Sequence, residues 1–338
     1  MIHIGHSPDP DDAFMFYALA FAKFDTTPEI YAHNLVDIET LNREAERGKY
    51  EVTAISFHAY AYIADKYVLL PHGASFGDNY GPILVSPRGV SGNSQFTSPK
   101  PQAPSRKSQV PSPKSQATSH QPPATSHQSP ATSHQPQNWR SFDAARQWLT
   151  GKTIAVPGTR TSAFLGLHLF AGTVPEKDEK FKTVVVPFDQ IIPKVVAGEY
   201  DGGLIIHEGQ LTYHEAKLQK IVDIGEWWAA QTGLPLPLGG NGIRRDLGAE
   251  RIARISAHLR QSIEWGLAHR DETLGYALRY ARDMNKEKAD RFVGMYVNDY
   301  TLDYGEKGRA AVRRFLEDGY KAGIIKTPIQ IQPEWSVT

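Results

Sequence analysis

Short apolar runs that stop abruptly on polar residues recur along this chain, and the stretches between them carry helical periodicity. Ile2–Gly5, Glu51–Ser56, Lys152–Val156, Thr183–Val186 and Leu204–Ile206 have the length and the bounds of strands. Ala13–Phe21, Thr40–Gly48, Phe142–Leu149, Phe164–Ala171 and Ile191–Ala197 alternate with them and read as helices. Strand and helix alternating over short links is the pattern of the α/β class, in which helices cover a largely parallel sheet. Ligands of such sheets bind in the crevice outside the carboxyl ends of the strands. The residues that end the apolar runs are therefore the first candidates for chemistry.

The sharpest ending is Asp201-Gly-Gly-Leu-Ile-Ile-His-Glu-Gly209. Two glycines lead into Leu204–Ile206, and the run delivers the imidazole of His207 at its C-terminal end. Histidine has the ordinary pKa best suited to proton transfer near neutrality. A histidine can equally end a strand by bonding a backbone group, and position alone leaves both readings open.

Other endings add polar groups. The first strand runs into His6-Ser-Pro-Asp-Pro-Asp-Asp12, a loop dense in proline and aspartate that opens a helix. Asp11 or Asp12 is expected as the N-cap of that helix, where a carboxylate accepts from free N–H groups and favours the dipole. The same loop can form part of a cleft wall. Ser56 and His58 follow the second strand, and Asn79 lies in the glycine-rich loop His72–Pro82. Pro157–Ala163 is a glycine- and hydroxyl-rich turn at a helix N-terminus, a ready anion site through Thr161, Ser162 and Ala163. Hydroxyl capping by Thr161 or Ser162 explains the same residues structurally. No phosphate loop with Gly-Lys-Ser/Thr and no Gly-x-Gly-x-x-Gly is present. His214 and Glu215 lack the His-Glu-x-x-His spacing of zinc hydrolases. Leu234-Pro-Leu-Pro-Leu-Gly-Gly240 is too rich in proline for a central strand and is expected to be a connector. Beyond Leu247 the pattern is helical, with Ile252, Ile255, Leu259, Ile263 and Leu267 on one stripe.

Between Gly92 and Asn138 the composition changes. Nine of the 23 prolines fall between Pro99 and Pro136, and Ala-Thr-Ser-His-Gln recurs from Ala117, Ala124 and Ala131. With little to bury, this insert is expected to be disordered, and its histidines (His120, His127, His134) reflect drift of a short repeat rather than a metal site. The expected organisation is one lobe from residues 1–88 plus 240–338, the insert at 92–138, and a smaller α/β lobe at 139–236. A small polar ligand is expected in the cleft between the lobes.

Composition excludes several alternatives. Lys plus Arg equals Asp plus Glu at 37 each, so no global field draws the chain to nucleic acid or an anionic membrane. No window has the apolar length of a membrane span. The absence of cysteine excludes disulfides, thiolate catalysis and cysteine-ligated metals. No basic and apolar leader precedes the first strand, so the cytoplasm is the expected compartment.

Four ordered motifs resemble a known family: His6-Ser-Pro-Asp-Pro-Asp-Asp-Ala-Phe-Met-Phe-Tyr17, Val156-Pro-Gly-Thr with Thr161-Ser-Ala163, Gly203-Leu-Ile-Ile-His-Glu-Gly209, and Leu234-Pro-Leu-Pro-Leu-Gly-Gly240. Together they are similar to the 1,4-dihydroxy-6-naphthoate synthases of the futalosine route to menaquinone, relatives of chorismate dehydratase. The resemblance covers nearly the whole chain apart from the insert. It implies a two-lobed fold like that of type II periplasmic binding proteins, with a central cleft and a helical C-terminal region. It implies conversion of cyclic dehypoxanthinyl futalosine to 1,4-dihydroxy-6-naphthoate with release of a dihydroxyacetone fragment, a carbon–carbon lyase reaction. The resemblance puts the general base on His207, the carboxylate grip on Ser162 and Ala163 with Ser56 from the other lobe, and apolar contacts on Ile206 and Leu234. Beside it, the residues themselves make Thr161 and Asp12 further expected substrate contacts, and Asn79 or His58 the expected group that helps orient His207. No cofactor or metal is expected, and the partner is a small-molecule carboxylate. Many members read Ser-Pro-Cys-Pro-Asn-Asp-Thr-Phe in the first motif, whereas Asp9, Asp11 and Ala13 stand here in place of Cys, Asn and Thr. The alternatives are a chorismate dehydratase-like lyase and a non-catalytic carboxylate-binding protein.

Overall fold

The computed structural model describes residues 1–88, 139–281 and 284–329. The insert at 92–138, with its three histidines, lies outside the described residues. The first block runs β1 (Ile2–His6), α1 (Pro10–Ala20), β2 (Tyr31–Leu35), α2 (Ile38–Glu46), β3 (Val52–Ser56), α3 (Phe57–Tyr60), β4 (Tyr67–Leu69), β5 (Ser75–Gly77) and β6 (Ile83–Pro87). The second runs α4 (Trp139–Trp148), β7 (Thr153–Val156), α5 (Ser162–Ala171), β8 (Lys182–Val185), α6 (Phe188–Val196), β9 (Gly202–Ile205), α7 (Gly209–Thr212), β10 (Leu218–Asp223), α8 (Ile224–Thr232) and β11 (Leu236–Arg244). The rest is helical: α9 (Ala249–Ala268), α10 (Arg270–Ala277), α11 (Lys286–Tyr296), α12 (Asp299–Leu302) and α13 (Gly305–Lys321).

Two sheets result among the described residues. The first has the order β2-β1-β3-β11-β4 with β5 beside β11; the second has the order β10-β6-β9-β7-β8. Strand β6 pairs with β9 and β10, so Ile83–Pro87 belongs to the second sheet although the division drawn from sequence ran the first lobe to residue 88. The chain crosses between sheets just before β6 and again after α8. These crossings touch: the N–H of Ile224 donates to the carbonyl of Pro82 at 2.9 Å, and a Cβ on Gly225 would lie 1.9 Å from the Tyr80 carbonyl oxygen. Only glycine permits that approach.

The proline-rich stretch expected to be a connector is instead the start of β11, which lies between β3 and β4 in the first sheet. Its ladder with β3 begins only at Gly239 opposite Ser56, beyond the last proline. Pro237 faces β5 at a register shift, where a missing N–H is tolerated.

Helix α1 is apolar nearly all round, and Phe14, Met15, Phe16 and Ala18 are buried. The stripe Ile252, Ile255, Leu259 and Ile263 of α9 shares one core with Phe14 and Met15, so the C-terminal helices return to the first sheet. A second core is continuous across both sheets, joining Ile55 and Phe57 to Val156 and Phe164, with Phe315 of α13 among them. No helix among the described residues is long and apolar enough to cross a membrane.

Candidate functional site

The carboxyl ends of β1, β3, β7 and β9 converge on one cleft holding a cavity of about 110 Å³. Ser7 and Asp12 reach it from beyond β1, Ser56 from the end of β3, Thr161, Ser162 and Ala163 from the turn after β7, and Ile206 and His207 from beyond β9. Seven of the positions singled out from sequence therefore meet at one place: Asp12, Ser56, Thr161, Ser162, Ala163, Ile206 and His207.

On the second sheet, the Thr161 hydroxyl caps α5. It accepts from the N–H of Phe164 at 3.1 Å and donates to the carbonyl of Gly158 at 2.9 Å. The N–H groups of Ser162 and Ala163 occupy the first helical positions, which have no intrahelical acceptor. Ser162 and Ala163 line the cavity at the positive end of the helix dipole, and no lysine or arginine among the described residues lines it. On the first sheet, Ser56 is held by Asn42: its N–H donates to the Asn42 oxygen at 2.8 Å, and its hydroxyl accepts from the Asn42 amide at 3.1 Å.

His207 has φ +53°, the left-handed region that a non-glycine residue adopts at a cost. Its Nε2 is buried without a hydrogen-bond partner among the described residues. Its Nδ1 stands 3.2 Å from Oδ2 of Asp9, and Phe188 packs against the ring at 4.8 Å between centroids. The contact with Asp9 is one of proximity rather than an aligned hydrogen bond, since neither Asp9 oxygen has a hydrogen-bond partner among the described residues.

The aspartate-rich loop departs from expectation. Neither Asp11 nor Asp12 caps α1: the N-cap position is Asp9, whose side chain makes no capping bond, and both expected residues lie inside the first turn. Proline at the first helical position starts the helix one turn earlier than the apolar pattern indicated. Asp12 instead accepts from the N–H of Ser7 at 2.6 Å and from its hydroxyl at 2.9 Å, tying the loop into a turn. Burial pushes the Asp12 carboxyl up to about 6 against the pull of the Ser7 donors. Burial, then the charge of Asp12, raises Asp11 well above the usual carboxylate range.

Three candidates lie elsewhere. Asn79 is exposed, with its amide on Asp78 at 3.2 Å, and does not line the cavity. Leu234 precedes β11 and packs against the main core; Leu238, beside the start of the β3 ladder, supplies the apolar wall. His58 is buried away from His207, with Nδ1 3.3 Å from the Thr161 carbonyl and its ring parallel to Phe164. Burial lowers its pKa to about 3. Lining residues that sequence reasoning missed include Gln210, Asn241 and Tyr296, the last with its hydroxyl buried beside Gln210. Tyr296 comes from α11, 89 residues beyond His207, in the helical C-terminal pattern.

A family model described as menaquinone biosynthesis matches residues 2–120 and 137–321. The 1,4-dihydroxy-6-naphthoate synthase of Thermus thermophilus is 33% identical over 96% of this chain and 95% of its own length. That of Streptomyces coelicolor is 31% identical over 96% and 94%. Among solved structures, protein AF1704 of Archaeoglobus fulgidus is 39% identical and superposes with a TM-score of 0.74 over 96% of this chain and 98% of that one. A Candida albicans protein described as having the generic periplasmic binding protein fold superposes at 0.56 over 98% and 92%, at 11% identity, which speaks to the fold alone. The chain is thus a relative of the 1,4-dihydroxy-6-naphthoate synthases and belongs to the menaquinone-biosynthesis family.

Proposed function

We propose that this chain is a 1,4-dihydroxy-6-naphthoate synthase that takes cyclic dehypoxanthinyl futalosine, cleaves a carbon–carbon bond and releases a dihydroxyacetone fragment. The observation that carries the reading is His207: an imidazole in a strained backbone position, its Nε2 unpartnered among the described residues, on a cavity also lined by a helix N-terminus. The substrate carboxylate sits on the free N–H groups of Ser162 and Ala163, with the Ser56 and Ser162 hydroxyls beside it. A helix N-terminus holds a carboxylate without a cationic side chain. Ile206 and Leu238 bracket the aromatic ring. His207 Nε2 then takes a proton from the substrate, which starts the cleavage, and returns one as the new ring aromatises. Asp12 keeps the Ser7 turn in place at the cavity edge through one oxygen and faces the substrate's hydroxyl groups with the other.

Turnover of cyclic dehypoxanthinyl futalosine by wild type and His207→Ala, followed by naphthoate formation, tests this. The expected result is product from wild type and a fall of about 10²-fold or more in the variant. Wild type folded but without turnover would refute the substrate; a variant with nearly full activity would refute His207 as the base.

A further inference from the structure

Asp9 occupies the N-cap position of α1, where aspartate ordinarily accepts from the second or third N–H of its own helix. Here it makes no such bond. Its side chain is 2% exposed, its carboxylate has no hydrogen-bond partner among the described residues, and it turns to the one imidazole at ion-pair distance, that of His207. A buried carboxylate without hydrogen bonds is costly unless another group compensates it. Asp9 does not line the cavity, whereas His207 does. The carboxylate thus stands on the Nδ1 side of the ring, and the unpartnered Nε2 is left for whatever enters the cleft.

We infer that Asp9 is the positioning residue of His207, selecting the tautomer that carries its proton on Nδ1 and keeping Nε2 free to accept one from substrate. The inference rests on His207 acting as the base. Which ring nitrogen carries the proton is set by the partner of the other. With the proton on Nδ1, the side of the ring that Asp9 Oδ2 approaches, the lone pair is on Nε2, which has no partner among the described residues. When Nε2 gains the substrate's proton the ring becomes a cation, and the negative charge 3.2 Å away offsets it without Asp9 itself taking a proton. Catalytic contacts are often poorly aligned in the absence of ligand and tighten in the complex, as the geometry of this pair requires. Phe188 on one side of the ring and the left-handed backbone at His207 limit its rotation, so the carboxylate decides between two orientations rather than many.

The test uses the full chain with 15N-labelled histidine. The two-bond 1H–15N spectrum reads the His207 tautomer directly, His207→Ala assigning its signals, and steady-state kinetics with cyclic dehypoxanthinyl futalosine accompany it. Wild type is expected to show the Nδ1–H tautomer. Asp9→Asn keeps the shape but offers Nδ1 a donor, so it is expected to move the proton to Nε2. Its kcat should fall roughly 10²- to 10⁴-fold while KM stays within about threefold. A wild-type ring protonated mainly on Nε2 overturns the inference, and so does an Asp9→Asn enzyme within about twofold of wild-type kcat. The wild-type spectrum needs no variant, so it decides the matter even if Asp9→Asn fails to fold. It also needs no turnover, so a wrong substrate and a wrong dyad give different results.

Discussion

Replacing Ser162 by proline isolates one backbone donor. Ser162 is the first residue of α5, and the preceding Thr161 has φ −73° and ψ 149°. That conformation is the one a residue before proline prefers, and proline is well tolerated at a first helical position. The helix should therefore survive, because the lost N–H had no intrahelical acceptor. The lost hydroxyl, which accepts from the buried N–H of His58 at 3.4 Å, should cost about 1–3 kcal/mol of stability in this variant and in the alanine control alike. What disappears is one donor aimed at the substrate carboxylate, together with the serine hydroxyl. A hydrogen bond to a charged group contributes about 1.5–3 kcal/mol. At about 1.4 kcal/mol per factor of ten, KM should rise roughly 10- to 150-fold. Ser162→Ala, which keeps the N–H and loses the hydroxyl, is the control and should rise much less. The assay is initial-rate kinetics on both variants with thermal melts to certify folding. A proline variant that melts like the alanine variant and matches it in KM would refute the helix N-terminus as the carboxylate grip.

Two further predictions follow from other regions. Gly225→Ala would drive a Cβ to 1.9 Å from the Tyr80 carbonyl oxygen where the crossings between the sheets touch, so about 2 kcal/mol or more of stability should be lost in a urea titration. Glu29 is 5% exposed and pairs with Arg251 through both oxygens and with Arg254, which hold its carboxyl at about 2. The folded state then binds that proton less tightly than the unfolded chain, so the pair stabilises fully above about pH 4.5 and loses its effect as pH falls toward 2. With both arginines partly in water, about 1–2 kcal/mol should be lost across that window. Glu29→Gln should flatten the acid limb of stability against pH, as followed by circular dichroism; an unchanged limb would exclude this cluster as its source.

Much of the fold was legible because strand and helix signals are local. The apolar runs ending at Ser56, Val156 and Ile205 and the stripe of α9 arise from periodicity and burial within one segment. His207 and the Thr161–Ala163 turn stood out for the same reason: in an α/β sheet the residue after a strand is already at the ligand-binding edge. The proline-rich β11 misled because the penalty for proline depends on which neighbour lacks the N–H, and only the register with β3 and β5 answers that. Asn79 and Leu234 do not line the cavity, since a polar or apolar residue near a strand end is not thereby aimed at the cleft.

The sequence by itself determined the α/β class, the places where strands stop and the chemistry available at each stop, since these follow from residue type and short-range spacing. The tertiary structure alone decided which stops share a cavity, because that depends on two sheets meeting across distant crossings. It also decided which group stands beside His207. Asp9 lies 198 positions earlier in the chain and looks like a helix cap until the fold brings it 3.2 Å from the ring, buried and with no other partner among the described residues.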